Sequence, residues 1–382
     1  MSSVDWAVAR ERVVSLVTPL GAEEVPLAAA IGRVAARDVV ARLAIPHYAS
    51  SAMDGWAVAG PPPWRVTPAV AEVAAGSATP VVTGALIPAG ANAVLRSEHG
   101  EVHDGRLGPR PAIAAPLAGA DIRPVGQEAD AGDVLIPAGT VLNPAHIAIA
   151  AACTYDLLPV VNRPRVALLL TGDEVDVDGI PSPGRVRDSF GPVLPAVIER
   201  LGGAVTSTSR VPDRLEDTVA AIDGADRAEL IITTGGTGRS DADHLRAALQ
   251  NLDAELVIPR VAMRPGGPTL LAALPDGRLV IGLAGNPLAA IVGLLVVAAP
   301  ALARWSGRPV PHLIDVVTAR DVPGRSASTS MIPYQLQAGL AVPSLWVGPG
   351  MMRGLAGSSG ILIVPPAGLS QGESASAFPL PW

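Results

Sequence analysis

Lysine is absent from this 382-residue chain, so all 28 basic side chains are arginines. Schiff-base and acyl-lysine chemistry are thereby excluded, and any bound anion must be met by guanidinium groups or backbone amides. Cysteine is almost absent as well, with Cys153 alone. One thiol excludes an intrachain disulfide framework and a multi-cysteine metal site, which agrees with a cytoplasmic setting, and its apolar neighbours mark Cys153 as a core thiol. Aromatic residues make up only 3% and charged residues only 16%, with a net charge of −7. That balance argues against a nucleic-acid partner, whose phosphates call for a basic surface. The 6 histidines, His47 and His244 among them, are scattered without metal-ligand spacing, which argues against a histidine metal site. The longest apolar run, residues 288–302, contains Pro300 and falls short of the roughly 18–20 residues that span a bilayer, so it reads as a buried helix and no membrane partner is expected. Asp5, Arg10 and Glu11 fall within an amphipathic N-terminal pattern unlike that of a signal peptide, and export is not expected.

What is present is apolar and loop-rich: 49% hydrophobic residues, Gly 40 and Pro 38. A chain of this length usually divides into two to four domains. Helical periodicity occurs at residues 4–17 and 25–41, and the first segment closes at Pro46. Residues 47–118 carry short Val/Ala strands between Gly/Pro turns, the pattern of a β-rich insert. Residues 119–162 return to a mixed pattern with a helix over 144–153, so that 1–46 and 119–162 form one interrupted N-terminal domain. An α/β domain follows over 163–307, and alternating short strands over 308–382 suggest a small β-barrel or sandwich.

Within the α/β domain the alternation is regular. Strands are expected at 166–170, 205–211, 230–233 and 279–283, with helices at 192–201 and 215–222. Uniformly apolar strands are buried on both faces, and open parallel sheets bind ligands beyond the carboxyl ends of their strands. Four turns lie at or near those ends: Thr171-Gly-Asp-Glu174, Arg187-Asp-Ser189, the stretch from Thr234 through Gly235 and Gly236 to Asp243, and Gly285-Asn-Pro287. Glycines let a backbone approach phosphate with its amides directed at it. Asp241 or Asp243 also fits a helix cap, worth about 1 kcal/mol. Two carboxylate-bearing turns, at Asp173-Glu174 and Asp243, favour instead a Mg²⁺-phosphate site, since that ion binds one or two carboxylates together with substrate phosphates. Asn286 fits either a turn residue or a ligand amide.

A further string, Ser50-Ser-Ala-Met-Asp54-Gly-Trp-Ala-Val58, opens the β insert and alone would read as a hairpin. It resembles the Ser-Ala-Met-Asp-Gly-Tyr-Ala-Val hallmark of the molybdopterin molybdenumtransferase family (MoeA type, related to the gephyrin E domain). Further hallmarks of that family follow in order: Thr83-Gly-Ala with Pro88-Ala-Gly-Ala91, Asp121-Ile-Arg123 with Gly126, Pro164-Arg-Val166, Thr171-Gly-Asp-Glu174, Asp188-Ser189, Gly235-Gly236, Arg264-Pro265-Gly266 and Gly285-Asn286-Pro287. The match runs over nearly the whole chain.

The resemblance implies an α/β multidomain protein: a doubly wound molybdopterin-binding domain, an interrupted N-terminal domain, a β insert and a C-terminal β-barrel-like domain. It implies a cytoplasmic homodimer with a shared site, in which Asp54 acts in trans. The implied activity is insertion of molybdenum from molybdate into adenylylated molybdopterin, with release of AMP and the help of Mg²⁺. The molybdopterin adenylyltransferase is an expected partner. Carried over by position, Asp54, Thr83, Glu128, Glu174 and Asp243 are catalytic, with Glu174 and Asp243 holding metal. Asp188, Ser189, Gly235, Gly236, Arg264, Pro265, Gly266, Gly285, Asn286 and Pro287 bind the cofactor. The chain departs from the pattern at Gly126-Gln-Glu128, at Gly267 where the family has lysine, at Arg264 for another lysine, at Gly235-Gly-Thr-Gly238, at Phe190, at Ala284 and at Ser359. Arg239, Arg185 and Arg187 are candidates to replace the lost ammonium, although each also fits a solvated surface charge. The altered residues motivate a rival reading, a molybdopterin-binding carrier or scaffold without efficient insertion. A simple adenylyltransferase is opposed by the extra domains and the retained Asp54 motif.

Overall fold

The computed structural model describes residues 3–236, 244–325 and 328–382. The chain forms two compact units, one of Met1–Glu23 with Val161–Trp382 and one of Glu24–Val160.

The larger unit is built on a six-stranded sheet in the order Ala204–Arg210, Arg165–Leu170, Leu230–Thr234, Leu279–Leu283, Leu270–Ala273, Glu255–Ile258. Alternate residues of one strand enter opposite cores: Leu168, Leu170, Ile232 and Ile281 go to one side, Ala167, Leu169, Ile231 and Val280 to the other. Helices Leu194–Arg200 and Pro287–Gly293 cover the first face, and Leu215–Asp223 and Leu245–Asn251 the second. Burial on both faces is why these strands carry no polar alternation.

The first four strands are parallel, whereas Leu270–Ala273 runs antiparallel to both of its neighbours and Glu255–Ile258 returns to the direction of the first four, so the sheet is mixed rather than fully parallel. The cause is local. Leu274 to Arg278 close a tight turn, with the Leu274 amide on the Arg278 carbonyl at 2.9 Å, and a connection that short can only join antiparallel neighbours.

The expected buried helix runs over Pro287–Trp305, 19 residues, and its most apolar window is 94% buried inside the protein. Its length and composition suit a membrane, yet here it serves as a core helix. It takes a π-helical turn at Leu294–Ala298, and Arg10 of the N-terminal helix Trp6–Leu16 donates Nη1 to the Leu295 carbonyl at 3.0 Å and Nη2 to the Pro311 carbonyl at 2.8 Å. Asp5 caps that N-terminal helix, accepting the Ala7 amide at 2.8 Å.

C-terminal residues form a closed five-stranded barrel: Thr329–Gln337, Leu340–Pro343, Ile314–Thr318, Ser374–Pro379, Gly360–Val364, and back to Thr329–Gln337. The barrel thus decides between the two β architectures the sequence left open. Met263–Arg264 pairs alongside it, Met263 opposite Thr329 and Arg264 opposite Ser330, which ties the barrel to the α/β sheet's loops.

In the smaller unit, Ala93–Arg96, Gly55–Val58, Ser77–Val81, Trp64–Val66, Arg106–Pro109 and Gly100–His103 form a second six-stranded sheet, packed around Trp64 and Leu107. A separate core gathers Val39, Ile136, Leu142, Leu158 and Val160. Cys153 is fully buried. The helix expected over 25–41 is not formed beyond Leu27–Ala30. Gly32 donates to the Leu142 carbonyl, Ala35 to Thr140, and Leu142 back to Arg33, so this segment satisfies its backbone by bridging to residues 140–142 instead of coiling on itself.

Candidate functional site

Three sheet strands of the larger unit end in the loops expected to carry chemistry, and those loops line one cavity of about 800 Å³. Arg165–Leu170 delivers Thr171, Gly172 and Glu174; Leu230–Thr234 delivers Gly235 and Gly236; Leu279–Leu283 delivers Gly285, Asn286 and Pro287; Asp188 and Ser189 join from the intervening loop. Close approach of two loops requires glycine. Gly235 has φ +85°, and a Cβ there would lie 2.7 Å from Thr171 Oγ1. Gly285 lies against it, with its would-be Cβ position 3.6 Å from Gly235 Cα. Asn286 occupies the N-cap position of the helix beginning at Pro287, yet its side chain makes no capping bond and so stays available to the cavity.

The acidic groups are not equivalent. Glu174 is exposed, and a Cβ on Gly172 would fall 3.0 Å from its Oε2, so the carboxylate lies back over the turn. Asp188 is fully engaged: Oδ1 accepts the amides of Phe190 at 2.9 Å and Gly191 at 3.1 Å, and Oδ2 meets Arg210 Nη2 at 2.5 Å. Burial opposes its ionisation, but these amides and the guanidinium together hold its carboxyl below the usual carboxylate range. Asp213, which the sequence reading passed over, receives the amides of Gly172 and Asp173 at 3.1 Å each and lines the same cavity. Arg210 was passed over too. Both stand at or just beyond the end of Ala204–Arg210, a strand the apolar pattern had located, where no glycine turn drew attention to them.

Arg264, Pro265 and Gly266 line a neighbouring cavity of about 520 Å³, which shares Pro268, Ala284 and Asn286 with the first. Gly267 contributes no charge there, but Arg260 and Arg325 stand with Arg264 around it. Of the three arginines suggested by sequence to replace the missing ammonium, Arg187 lines the larger cavity, Arg185 pairs with Asp176 at 2.6 Å, and Arg239 falls outside the described residues. Asp243 also falls outside them.

In the smaller unit Asp54 and Thr83 are brought together. Asp54 Oδ1 accepts the Thr83 amide at 2.7 Å and its hydroxyl at 2.9 Å, and these bonds, the backbone one foremost, lower the Asp54 pKa. Glu128 sits on a separate loop, its amide on the Ile45 carbonyl at 2.8 Å and its side chain exposed.

A doubly wound sheet with a closed C-terminal barrel and glycine- and carboxylate-lined loops defines a pterin- or nucleotide-binding class of α/β protein, and known proteins narrow it. Residues 4–154 match the family described as MoeA N-terminal region (domain I and II), and residues 167–304 match the "Probable molybdopterin binding domain". Molybdopterin molybdenumtransferase of Staphylococcus aureus is 30% identical over 81% of this chain and 78% of its own length. That of Synechococcus elongatus is 34% identical over 72% and 73%. The crystal structure of the molybdopterin biosynthesis moeA protein from Pyrococcus horikosii superposes with a TM-score of 0.80 at 25% identity, covering 99% of both chains. The chain belongs to the molybdopterin molybdenumtransferase (MoeA) family.

Proposed function

We propose that this protein inserts molybdenum from molybdate into adenylylated molybdopterin and releases AMP, as a transferase of molybdenum cofactor biosynthesis. One observation carries the reading: the turns Thr171–Glu174, Asp188–Ser189, Gly235–Gly236 and Gly285–Pro287 meet around a single cavity of about 800 Å³. That volume suits a nucleotide-sized ligand. The adjoining cavity, ringed by Arg260, Arg264 and Arg325, suits a compact oxyanion such as molybdate, because guanidinium groups grip oxyanions through paired N–H donors. Shared Asn286 then stands between the two reactants.

Glu174 and Asp213 supply two carboxylates to the larger cavity, the number Mg²⁺ takes when substrate phosphates complete its shell. The described donors therefore fit, and Glu174 and Asp243 are the proposed holders. When bound, the ion would neutralise charge developing on the leaving phosphate. The protein's own part is to hold the phosphoanhydride on the glycine-turn amides, to orient the attacking oxygen with its carboxylates, and to keep Asp54 ionised through Thr83.

We assign Asp54, Thr83 and Glu128 to the same reaction. They act across a homodimer in which one subunit's insert completes its partner's site, and the division at 1–46 with 119–162, 47–118, 163–307 and 308–382 describes that arrangement. Cytoplasmic location and association with the molybdopterin adenylyltransferase complete the proposal. The carrier reading is not favoured, since the curated relatives carry the transferase name.

The test is an assay of the purified protein with adenylylated molybdopterin, molybdate and Mg²⁺. AMP release together with formation of active cofactor is expected. Tight binding of the adenylylated pterin without AMP release would instead establish the carrier.

A further inference from the structure

Arg210 ends the edge strand Ala204–Arg210, and the parallel register sets it opposite Leu170, the residue before the Thr171–Glu174 turn. Its Nη2 meets Asp188 Oδ2 at 2.5 Å. Both oxygens of Asp188 are thereby occupied, one by Arg210 and one by the amides of Phe190 and Gly191, and its side chain is only 11% exposed. With three of its roughly four lone-pair sites taken and little of its side chain exposed, Asp188 is poorly placed to meet a ligand itself. The guanidinium is different. It carries five N–H donors, gives one to Asp188, and keeps a third of its surface (33%) open on the wall of the cavity.

Two basic residues line that cavity among the described residues, Arg187 and Arg210. Both are exposed residues, and of the two Arg210 alone is anchored by an ion pair. Glu174, Asp188 and Asp213 meanwhile make the cavity walls acidic. In a chain without lysine, the cation that joins the glycine-turn amides on a phosphorylated ligand must be an arginine, and an anchored guanidinium loses less rotamer entropy on binding than an unanchored one.

We infer that Arg210 is the phosphate-binding cation of the larger cavity, and that Asp188 is a positioning residue acting on the ligand through Arg210. The inference rests on the reading of this cavity as a phosphorylated-ligand site. It goes further in choosing the residue that selects phosphorylated over unphosphorylated pterin.

The experiment measures inorganic pyrophosphate binding by calorimetry at low and physiological salt, using the full chain and the variants Arg210→Gln, Arg210→Lys, Asp188→Asn and the remote control Arg227→Gln. Expected are a loss of about tenfold or more in Arg210→Gln with a flatter salt dependence, recovery of part of it in Arg210→Lys, a similar loss in Asp188→Asn, and no change in the control. Melting temperatures guard against unfolding, and Arg210→Lys supplies a second variant in which the charge is kept. Pyrophosphate affinity and salt dependence unchanged in a folded Arg210→Gln, or no binding by the wild-type protein at millimolar concentration, overturns the inference. The two readings separate cleanly. Binding through Arg210 without AMP release from adenylylated molybdopterin sinks the insertase and spares Arg210, whereas AMP release with Arg210→Gln binding pyrophosphate normally does the reverse.

Discussion

Asp54 Oδ1 receives two hydrogen bonds from one residue, the amide of Thr83 at 2.7 Å and its hydroxyl at 2.9 Å. Together they lower the Asp54 pKa, the backbone bond contributing most. A depressed carboxyl pKa means the ionised form persists at neutral pH and is lost only as acid brings the pH down through that lowered value. Thr83→Val removes the hydroxyl bond and leaves the amide, so the pKa should rise partway and the acid limb of the kcat/KM profile should move to higher pH. Thr83→Ser should leave the limb in place. Asp54→Asn should cut turnover by about 100-fold, the lower range of what a positioned acid-base group contributes. An acid limb identical in wild type and Thr83→Val would remove Asp54 from the chemistry.

Glu174 is the exposed carboxylate of the Thr171–Glu174 turn, lying back over Gly172. Glu174→Gln keeps its size and removes its charge. Turnover should fall by about 100-fold while affinity for the adenylylated pterin changes less than about threefold, because the group serves charge that develops during reaction. Val177→Ala, an exposed neighbour at 57% accessibility, should change neither. Steady-state kinetics set beside direct binding decide the matter. A loss confined to binding would make Glu174 a simple substrate contact.

How far these assignments were legible in the sequence depended on the range of the interactions involved. The parallel core could be read because Arg165–Leu170, Leu230–Thr234 and Leu279–Leu283 are covered on both faces, which leaves an unbroken apolar signature. Residues 25–41 have the periodicity of a helix, but the choice there was made by carbonyls at 140–142, which no local pattern reveals. The site divided in the same way. Glycine turns announced themselves, while Asp213 is fixed in the cavity wall by the Gly172 and Asp173 amides at the end of the neighbouring strand, a contact far apart in sequence. Arg260 and Arg325 likewise share a cavity only because Met263–Arg264 adds onto Thr329–Gln337 of the barrel.

Gly235 offers a test of the close approach between loops. A Cβ at φ +85° would stand 2.7 Å from Thr171 Oγ1, and that hydroxyl is itself committed to the Thr234 carbonyl at 2.5 Å, so it cannot swing aside freely. Gly235→Ala should therefore cost about 1–3 kcal/mol and weaken ligand binding. Gly277 provides the contrast, having φ +90° but nothing within 4 Å of its would-be Cβ. Gly277→Ala should show the backbone strain alone and leave binding intact. Equal effects in urea unfolding and in ligand affinity would mean that the contact with Thr171 has no part in shaping the cavity.

Arg10 joins three parts of the larger unit. Its guanidinium meets the Leu295 carbonyl inside the π-helical turn at 3.0 Å and the Pro311 carbonyl at 2.8 Å, and its Cζ lies 5.1 Å from the Phe378 ring centroid in the last barrel strand. Burial lowers its pKa to about 10, which still leaves it charged at neutral pH, so the desolvation of a full charge opposes the gain from these bonds. The balance decides the sign. Arg10→Met fills similar volume but leaves two carbonyls without their donor, and a buried acceptor stripped of its partner costs more than a pair replaced on both sides. Unfolding free energy should fall by about 2 kcal/mol, with turnover per folded molecule unchanged, as read from urea midpoints and active-site titration. A double-mutant cycle with Phe378→Leu should return a coupling of about 0.5–1 kcal/mol for the ring contact. If Arg10→Met were as stable as the wild type, desolvation would have cancelled the hydrogen bonds, and the π-helical turn would hold its shape through the packing of Pro287–Trp305 alone.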